Sequence, residues 1–408
     1  MIQVEQQKRE PVPRGLARTG PVILSYGFRP FFLAAGVWGA SSMVLWILEV
    51  SLGLGLGGAS GGVAWHAHEM LFGYTSAALA GFLLTAIPNW TGRLPVSGRP
   101  LLALFMLWAA GRLALLWPAA LGDTVSIVVD ASFLPVLFVI CAREIVAGKK
   151  WKDLKVLAAV FTVAAGNVFF HYSNVVLGDI ALPSRLAIAA YMMLIMIIGG
   201  RILPSFTRNW LSKRGITTLP SPYSRFDVVA LLAALGALAL WTAAPEGWGT
   251  GLACLVAAAL HATRLARWRG WMTIAEGLVL ILHLAYAFVV LSFVALGAAA
   301  FGSLEPVAAL HVATAGGLGS MTLAVMTRAT RGHTGLELRA SPMTIACYAA
   351  ILGAGAIRPL TALLPDFRSE IVALAGVAWI AAMVLFVGEY GPVLLSKRKD
   401  LPSPRGSF

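Results

Sequence analysis

Runs of about 20 apolar residues, the length a helix needs to cross the hydrocarbon core of a bilayer, follow one another along the whole chain and leave room for little else. Dividing the sequence at its Pro, Gly and charge clusters places them at 28–50, 64–88, 100–118, 121–142, 156–177, 185–206, 226–243, 248–266, 272–299, 306–328, 341–364 and 370–395. Lipid offers no water to satisfy peptide groups, so such spans are expected to be helices. The expected fold is all-α, a polytopic integral membrane protein of about 12 transmembrane helices. Residues 28–395 form a single membrane domain, with a basic tail at 1–27 and a second tail at 396–408. Composition agrees: 59% of the 408 residues are hydrophobic and 12% are charged, far from a water-soluble domain.

In a soluble chain, 31 Lys+Arg against 18 acids would point to nucleic acid. Here 25 of the 31 basic residues fall in alternate short loops and in the two tails if the N-terminus is cytoplasmic. The intervening loops, such as LGLGLGGASGGVAW and AAPEGWG, hold almost none. The positive-inside rule then expects both termini in the cytoplasm, and no nucleic-acid partner is implied. Lys8, Arg9, Arg14 and Arg18 precede the first span without an apolar signal region, so that span is expected to stay as an anchor. Cys141, Cys254 and Cys347 are far apart, with no CxxC pair and no CxxCH. Neither a disulfide framework nor covalently attached haem is expected.

Four arginines, Arg29, Arg112, Arg201 and Arg358, lie inside or at the ends of spans and need partners. Aligning His68 with His311 also aligns Gly73 with Gly316, Thr91 with Thr334 and Gly92 with Gly335. A separation of eight helices would suit a three-fold repeat of four-helix units, with the span ending PSFTRNW as the middle member.

At about 1.5 Å per residue, His66, His68, His171 and His311 all come out in the outer third of the membrane, which makes them candidate metal ligands. Residues two apart point about 200° away from each other on a helix, so His66 and His68 serve two faces. One can hold a metal while the other holds a second centre or hydrogen-bonds elsewhere, with Glu69 in reach of the His66 ring. His311 can supply the opposite axial ligand of a haem held between the second and tenth spans, since imidazole suits iron and copper alike. Asn167, His171 and Asn174 share one face, a candidate copper site or water-filled path. Glu276, His283 and Tyr286 also share a face and suggest a proton route, with His283 as a further candidate metal ligand; an exposed ion pair of Glu276 is the rival reading. Arg112 and Arg358 lie near the histidine level and could pair with haem propionates, Glu69 being a competing partner. His261, followed by Arg264 and Arg267, is expected to snorkel to the membrane edge, and His333 to sit solvated in a loop.

The stretches SYGFRPFFLAAG, WHAHEMLFGYTSAALAGFLLTAIPNWTGR, GGRILPSFTRNW and HVATAGGLGSMTLAVMTRATRGHTG resemble the blocks of the NnrS family of bacterial membrane proteins tied to nitric oxide metabolism. The resemblance implies a multi-pass protein of the bacterial inner membrane that contains haem, with copper as a further candidate, and that relieves nitrosative stress alongside denitrification genes. Within these blocks it extends metal ligation to His66, His68 and His311. A looser architectural similarity to haem-copper oxidases departs in placing His-x-His on the second span, and analogy of fold alone does not carry function. The expected function is a haem b protein, with one or two haems, that binds and reduces nitric oxide. The chain offers no electron-carrier domain, so a quinol or a membrane or periplasmic protein is expected as donor. Protons would pass through Glu276, His283 and Tyr286, or from outside through Glu69. Two rivals stand beside this oxidoreductase reading: a non-catalytic haem sensor or scavenger of nitric oxide, and a secondary transporter.

Overall fold

The computed structural model describes residues 20–398. The basic residues before Gly20, and the second tail beyond Arg398, lie outside the described residues. Among the described residues, twelve helices are long and apolar enough to cross a membrane: α1 (Phe28–Leu52), α2 (Gly61–Thr91), α3 (Arg99–Leu116), α4 (Asp123–Ala147), α5 (Trp151–Leu177), α6 (Ala181–Ser212), α7 (Arg225–Ala243), α8 (Trp248–Arg267), α9 (Gly277–Ala300), α10 (Pro306–Thr334), α11 (Pro342–Ala362) and α12 (Pro365–Leu395). No strand occurs among the described residues. The chain is a multi-pass all-α membrane protein.

Neighbours in sequence pack on one another, and α12 returns to lie along α1. Arg29 closes that seam. Its Nη1 donates to the carbonyls of Leu394 and Ser396, both at 2.7 Å, so the cation satisfies peptide oxygens left free at the end of α12. The centre is built differently from the rim. In α2, 83% of the most apolar window is buried inside the protein, against 33% in α3, α4, α7 and α11, whose free faces are apolar side chains suited to lipid. The core helices α2, α6 and α10, each four spans from the next, meet through polar groups. Tyr74 of α2 is 2.7 Å from Thr322 of α10, and the Tyr191 hydroxyl of α6 donates to the Leu71 carbonyl of α2 at 2.8 Å.

Three spans contain a π-helical segment, and each begins at or just after a histidine singled out in the sequence. These are Glu69–Tyr74 after His68, Ser173–Leu177 after His171, and Val312–Gly319 after His311. A π turn inserts a residue, bends the ladder and frees carbonyls, and it recurs at functional sites. In α2 those carbonyls find partners. Leu71 O accepts from Tyr191, Gly73 O from Trp108 Nε1 at 3.1 Å, and Met70 O from the Thr75 hydroxyl at 2.7 Å. Both α2 and α10 end in Thr followed by a left-handed glycine, Gly92 and Gly335.

Two expectations are corrected here. His333 is not a solvated loop residue: α10 runs on to Thr334, and the His333 ring packs against Tyr26 and Phe28, with centroids 5.8 and 5.5 Å apart. His261 does not snorkel, because Arg264 is itself fully buried and draws the neighbouring polar groups inward. Arg264 Nε donates to Asp227 at 2.9 Å, and its Nη1 donates to Met196 O and to Tyr286 Oη, each at 2.9 Å. His261 Nε2 faces the Ala230 carbonyl at 3.0 Å, an atom that can only accept, so Nε2 carries the proton. Nδ1 then accepts from the Tyr286 hydroxyl at 2.7 Å.

Candidate metal centre and cofactor cavity

His66 and His68 occupy the last turn of α-helix before the π segment of α2, and they face different surroundings. His68 is buried and points into a polar cluster shared by α1 to α5. The His66 ring stacks on Trp46 of α1, centroids 4.4 Å apart and planes 17° apart, and opens onto a cavity shared with α10.

The polar cluster is organised around Arg112 of α3. Its Nη1 donates to Glu69 Oε2 at 2.6 Å and its Nη2 to Asp130 Oδ1 of α4. Glu69 Oε2 also accepts from Trp38 Nε1 at 2.7 Å, while Oε1 lies 3.1 Å from His68 Nδ1. His68 Nε2 is 2.9 Å from Asn167 Oδ1 and 3.1 Å from Asp130 Oδ2; the same carboxylate oxygen takes His171 Nε2 at 2.7 Å and Asn167 Nδ2 at 3.1 Å. All these side chains but Trp38 are buried. Buried charges survive only when paired and hydrogen-bonded, and this set meets that condition. Gly73 makes room for it: a Cβ there would lie 2.5 Å from Glu69 Oε2, 2.7 Å from Arg112 Nη1 and 2.8 Å from Trp38 Nε1.

His68, Asp130 and His171 each offer a ligand atom within 4.8 Å of the others. Two imidazoles and a carboxylate are donors for Cu(II), Zn(II) or Fe(II). Glu69 facing His68 Nδ1 is the outer carboxylate that commonly orients a ligating imidazole, leaving Nε2 turned toward Asp130 and His171. The donor set therefore fits a metal ion.

The neighbouring cavity measures about 580 Å³ and lies between α1, α2, α6, α7, α9, α10, α11 and α12. Its wall is mainly apolar, with Met43, Met70, Leu296, Leu310 and Trp379 among its side chains, and His66, His311, Arg185 and Arg358 enter it. His311 Nδ1 is 2.7 Å from the Val307 carbonyl, which fixes the proton on Nδ1 and leaves the Nε2 lone pair free. His66 Nδ1 and Ser184 Oγ, both belonging to lining residues, are buried without a hydrogen-bond partner. Buried polar atoms are rarely left so. Two imidazoles facing one apolar cavity, with guanidinium groups beside them, fit a haem and its carboxylates.

The family model described as NnrS protein matches residues 22–398. The chain belongs to the NnrS family. No curated protein matches it. Membership supports a role in the response to nitric oxide and is in keeping with the membrane fold. It also suggests a metal or haem, and in this NnrS family member the buried His68, Asp130 and His171 form a group able to hold a metal.

The remaining residues singled out in this NnrS chain fall apart in space. Arg112 does not line the cavity with Arg358; it is held by Glu69 and Asp130. Glu69 meets the ring of His68, not that of His66. Arg358, instead of finding an acid, donates to the Thr361 hydroxyl at 2.9 Å and lines the cavity. Glu276, His283 and Tyr286 each meet different partners. Glu276 is the N-cap of α9, its Oε1 accepting from the amides of Leu278 and Ala340 at 3.0 and 3.1 Å; His283 Nε2 meets Thr207 at 2.8 Å; Tyr286 belongs with His261 and Arg264. Sequence reasoning missed Asp130, although a lone acid within VVDASFL is the kind of intramembrane charge that signals a site. It also missed Glu246, which lines the cavity and an adjoining vestibule of about 630 Å³.

Proposed function

We propose that this protein is a haem b protein of the bacterial inner membrane, both termini cytoplasmic, that binds nitric oxide in the His66–His311 cavity and reduces it. The observation that carries this reading is that His66 and His311, more than 200 residues apart in the chain, open onto one largely apolar cavity with an unprotonated imidazole nitrogen available. Haem bound there would supply an iron that takes nitric oxide and delivers electrons to it.

The chain's own residues supply the rest. His66, held flat against Trp46, and His311, oriented by the Val307 carbonyl, are the residues that would hold the haem iron. Arg185 and Arg358, which line the same cavity, would pair with the haem carboxylates. The Met, Leu and Trp wall keeps water out and admits nitric oxide, which partitions into lipid. Two nitric oxide molecules, two electrons and two protons give nitrous oxide and water. The electrons come from a quinol or a partner protein, and the protons enter past Glu246. His68, Asp130 and His171 would hold copper as a second metal, with Glu69 and Arg112 keeping those ligands in place.

One observation favours a second reading. Two imidazoles face one cavity, and both would be available to hold the iron, which suits a sensor or scavenger of nitric oxide. The test is nitric oxide consumption by purified, haem-loaded protein with a reduced quinol, followed with an electrode and by nitrous oxide detection. Catalytic nitrous oxide formation supports the reductase. Uptake of no more than one gas molecule per haem decides for the sensor, and a colourless protein after expression with ample haem removes both.

A further inference from the structure

At the other end of the bundle, where the alternation of spans also places the start of α1 and the end of α12, a second pocket of about 320 Å³ lies between α5, α6 and α7. Lys155, Arg201 and Arg208 line it, and among the described residues no carboxylate does. The acids beside it are already engaged: Asp153 takes Arg201 at 2.6 Å, and Asp227 takes Arg264. Arg208 gives one bond, to the Pro220 carbonyl at 3.1 Å. Behind the wall, Arg264 Nη2 is buried without a hydrogen-bond partner and lies against Gly200, where a Cβ would overlap it; it adds positive charge beside the pocket without lining it. The inner part of the pocket is apolar, formed by Ile197 and Leu231.

We infer that this pocket binds a phosphate-bearing anion. Three cations with one neutralising carboxylate between them leave a positive site. Guanidinium forks match phosphate oxygens, and Arg201 and Arg208 present two of them at the pocket beside the Lys155 ammonium. A cationic rim over an apolar floor matches an amphiphile with an anionic head, since basic pockets between helices at the cytoplasmic side hold such lipids. A soluble phosphate would use the rim alone.

The full-length protein in detergent, incubated with phosphatidylglycerol, with phosphatidylcholine or with inorganic phosphate, is examined by native mass spectrometry and calorimetry. Wild type is expected to retain phosphatidylglycerol about tenfold better than phosphatidylcholine, and the Lys155→Gln/Arg208→Gln variant to lose about that factor. Both residues are exposed, so the variant is expected to keep a monodisperse size-exclusion profile; the charge-preserving Lys155→Arg/Arg208→Lys variant controls for shape and should retain the lipid. Binding of inorganic phosphate that the neutral variant abolishes, without preference between the lipids, assigns the site to a soluble anion. The proposal is overturned if neither phosphatidylglycerol nor phosphate is preferred over phosphatidylcholine, or if the neutral variant binds as wild type does.

Discussion

His66 and His68 stand two residues apart on α2 and turn to opposite sides, the first to the cavity it shares with His311 and the second to Asp130 and His171. The proposed haem and copper are therefore separable by single substitutions. Loss of an outer-shell partner alone weakens a metal site 10- to 100-fold, so His66→Ala and His311→Ala should each lower haem per polypeptide by about tenfold or more. His68→Ala and His171→Ala should leave haem in place and remove copper. Pyridine haemochrome spectra and metal analysis on the same preparations check this; equal haem loss from His66→Ala and His68→Ala would sink the two-site division.

Arg112 neutralises Glu69 and Asp130 together in a site with almost no solvent. Removing one partner from a buried ion pair leaves an uncompensated charge and costs about 3–5 kcal/mol. Arg112→Met is expected to cost at least that and to lower the yield of folded protein. Arg112→Lys keeps the charge but cannot span both carboxylates, so it should fall between. Thermal unfolding in detergent orders the three proteins, and a methionine variant as stable as wild type would mean that the carboxylates are not charged.

Such a partner set was only half legible in the sequence. The spans were plain, because a bilayer imposes one length on every helix and the basic loops alternate. Depth along a helix could be counted, which put Arg112, His68 and His171 at one level. Their direction around the helix could not, because it depends on packing; haem carboxylates and Glu69 are both open to Arg112 in the sequence, and Asp130 beside it is visible only in the fold. For Glu276, His283 and Tyr286 the limit is a different one: Glu276 sits outside α9 as its cap, where helical spacing does not fix its direction. The π segments after His68, His171 and His311 shift the register of everything that follows, and a 3.6-residue period does not anticipate them.

Gly73 tests how tightly the cluster is packed. A methyl group there would meet Glu69, Arg112 and Trp38 at 2.5–2.8 Å, and forcing extra carbon into a filled interior costs about 1–3 kcal/mol. Gly73→Ala should lower the unfolding midpoint, whereas Gly236→Ala, in α7 with nothing within 4 Å of the new carbon, should be neutral or stabilising by about 0.5–1 kcal/mol. Equal midpoints for the two variants would mean that the close approach at Gly73 is not needed.

Tyr286 and Glu276 distinguish a structural role from proton transfer. Tyr286→Phe removes the hydroxyl that donates to His261 and accepts from Arg264, leaving buried partners unsatisfied at about 1–3 kcal/mol. Glu276→Gln keeps an oxygen that can accept from Leu278 and Ala340. The tyrosine variant should lose stability and the glutamine variant little, and neither should slow nitric oxide consumption once the folded fraction is corrected for. A turnover defect in a fully folded Glu276→Gln protein would restore the inner route.

On the proposed reading, proton entry falls to Glu246. Its side chain lines both the His66–His311 cavity and the vestibule bounded by Phe301, Ser303 and Glu305, at the end of the bundle where α7 joins α8. An exposed carboxylate there can collect a proton from water and present it at the cavity, while the apolar wall offers no other acid among the described lining residues. Glu246→Gln keeps the shape and the hydrogen-bonding oxygen but removes the exchangeable proton. On the proposed reading it should slow turnover by about 10²-fold or more, the scale of positioned acid–base groups, and leave haem content and nitric oxide binding spectra unchanged. Glu246→Asp should recover part of the rate. Wild-type turnover in Glu246→Gln would move proton entry elsewhere and leave Glu246 as a mouth residue without a part in the chemistry.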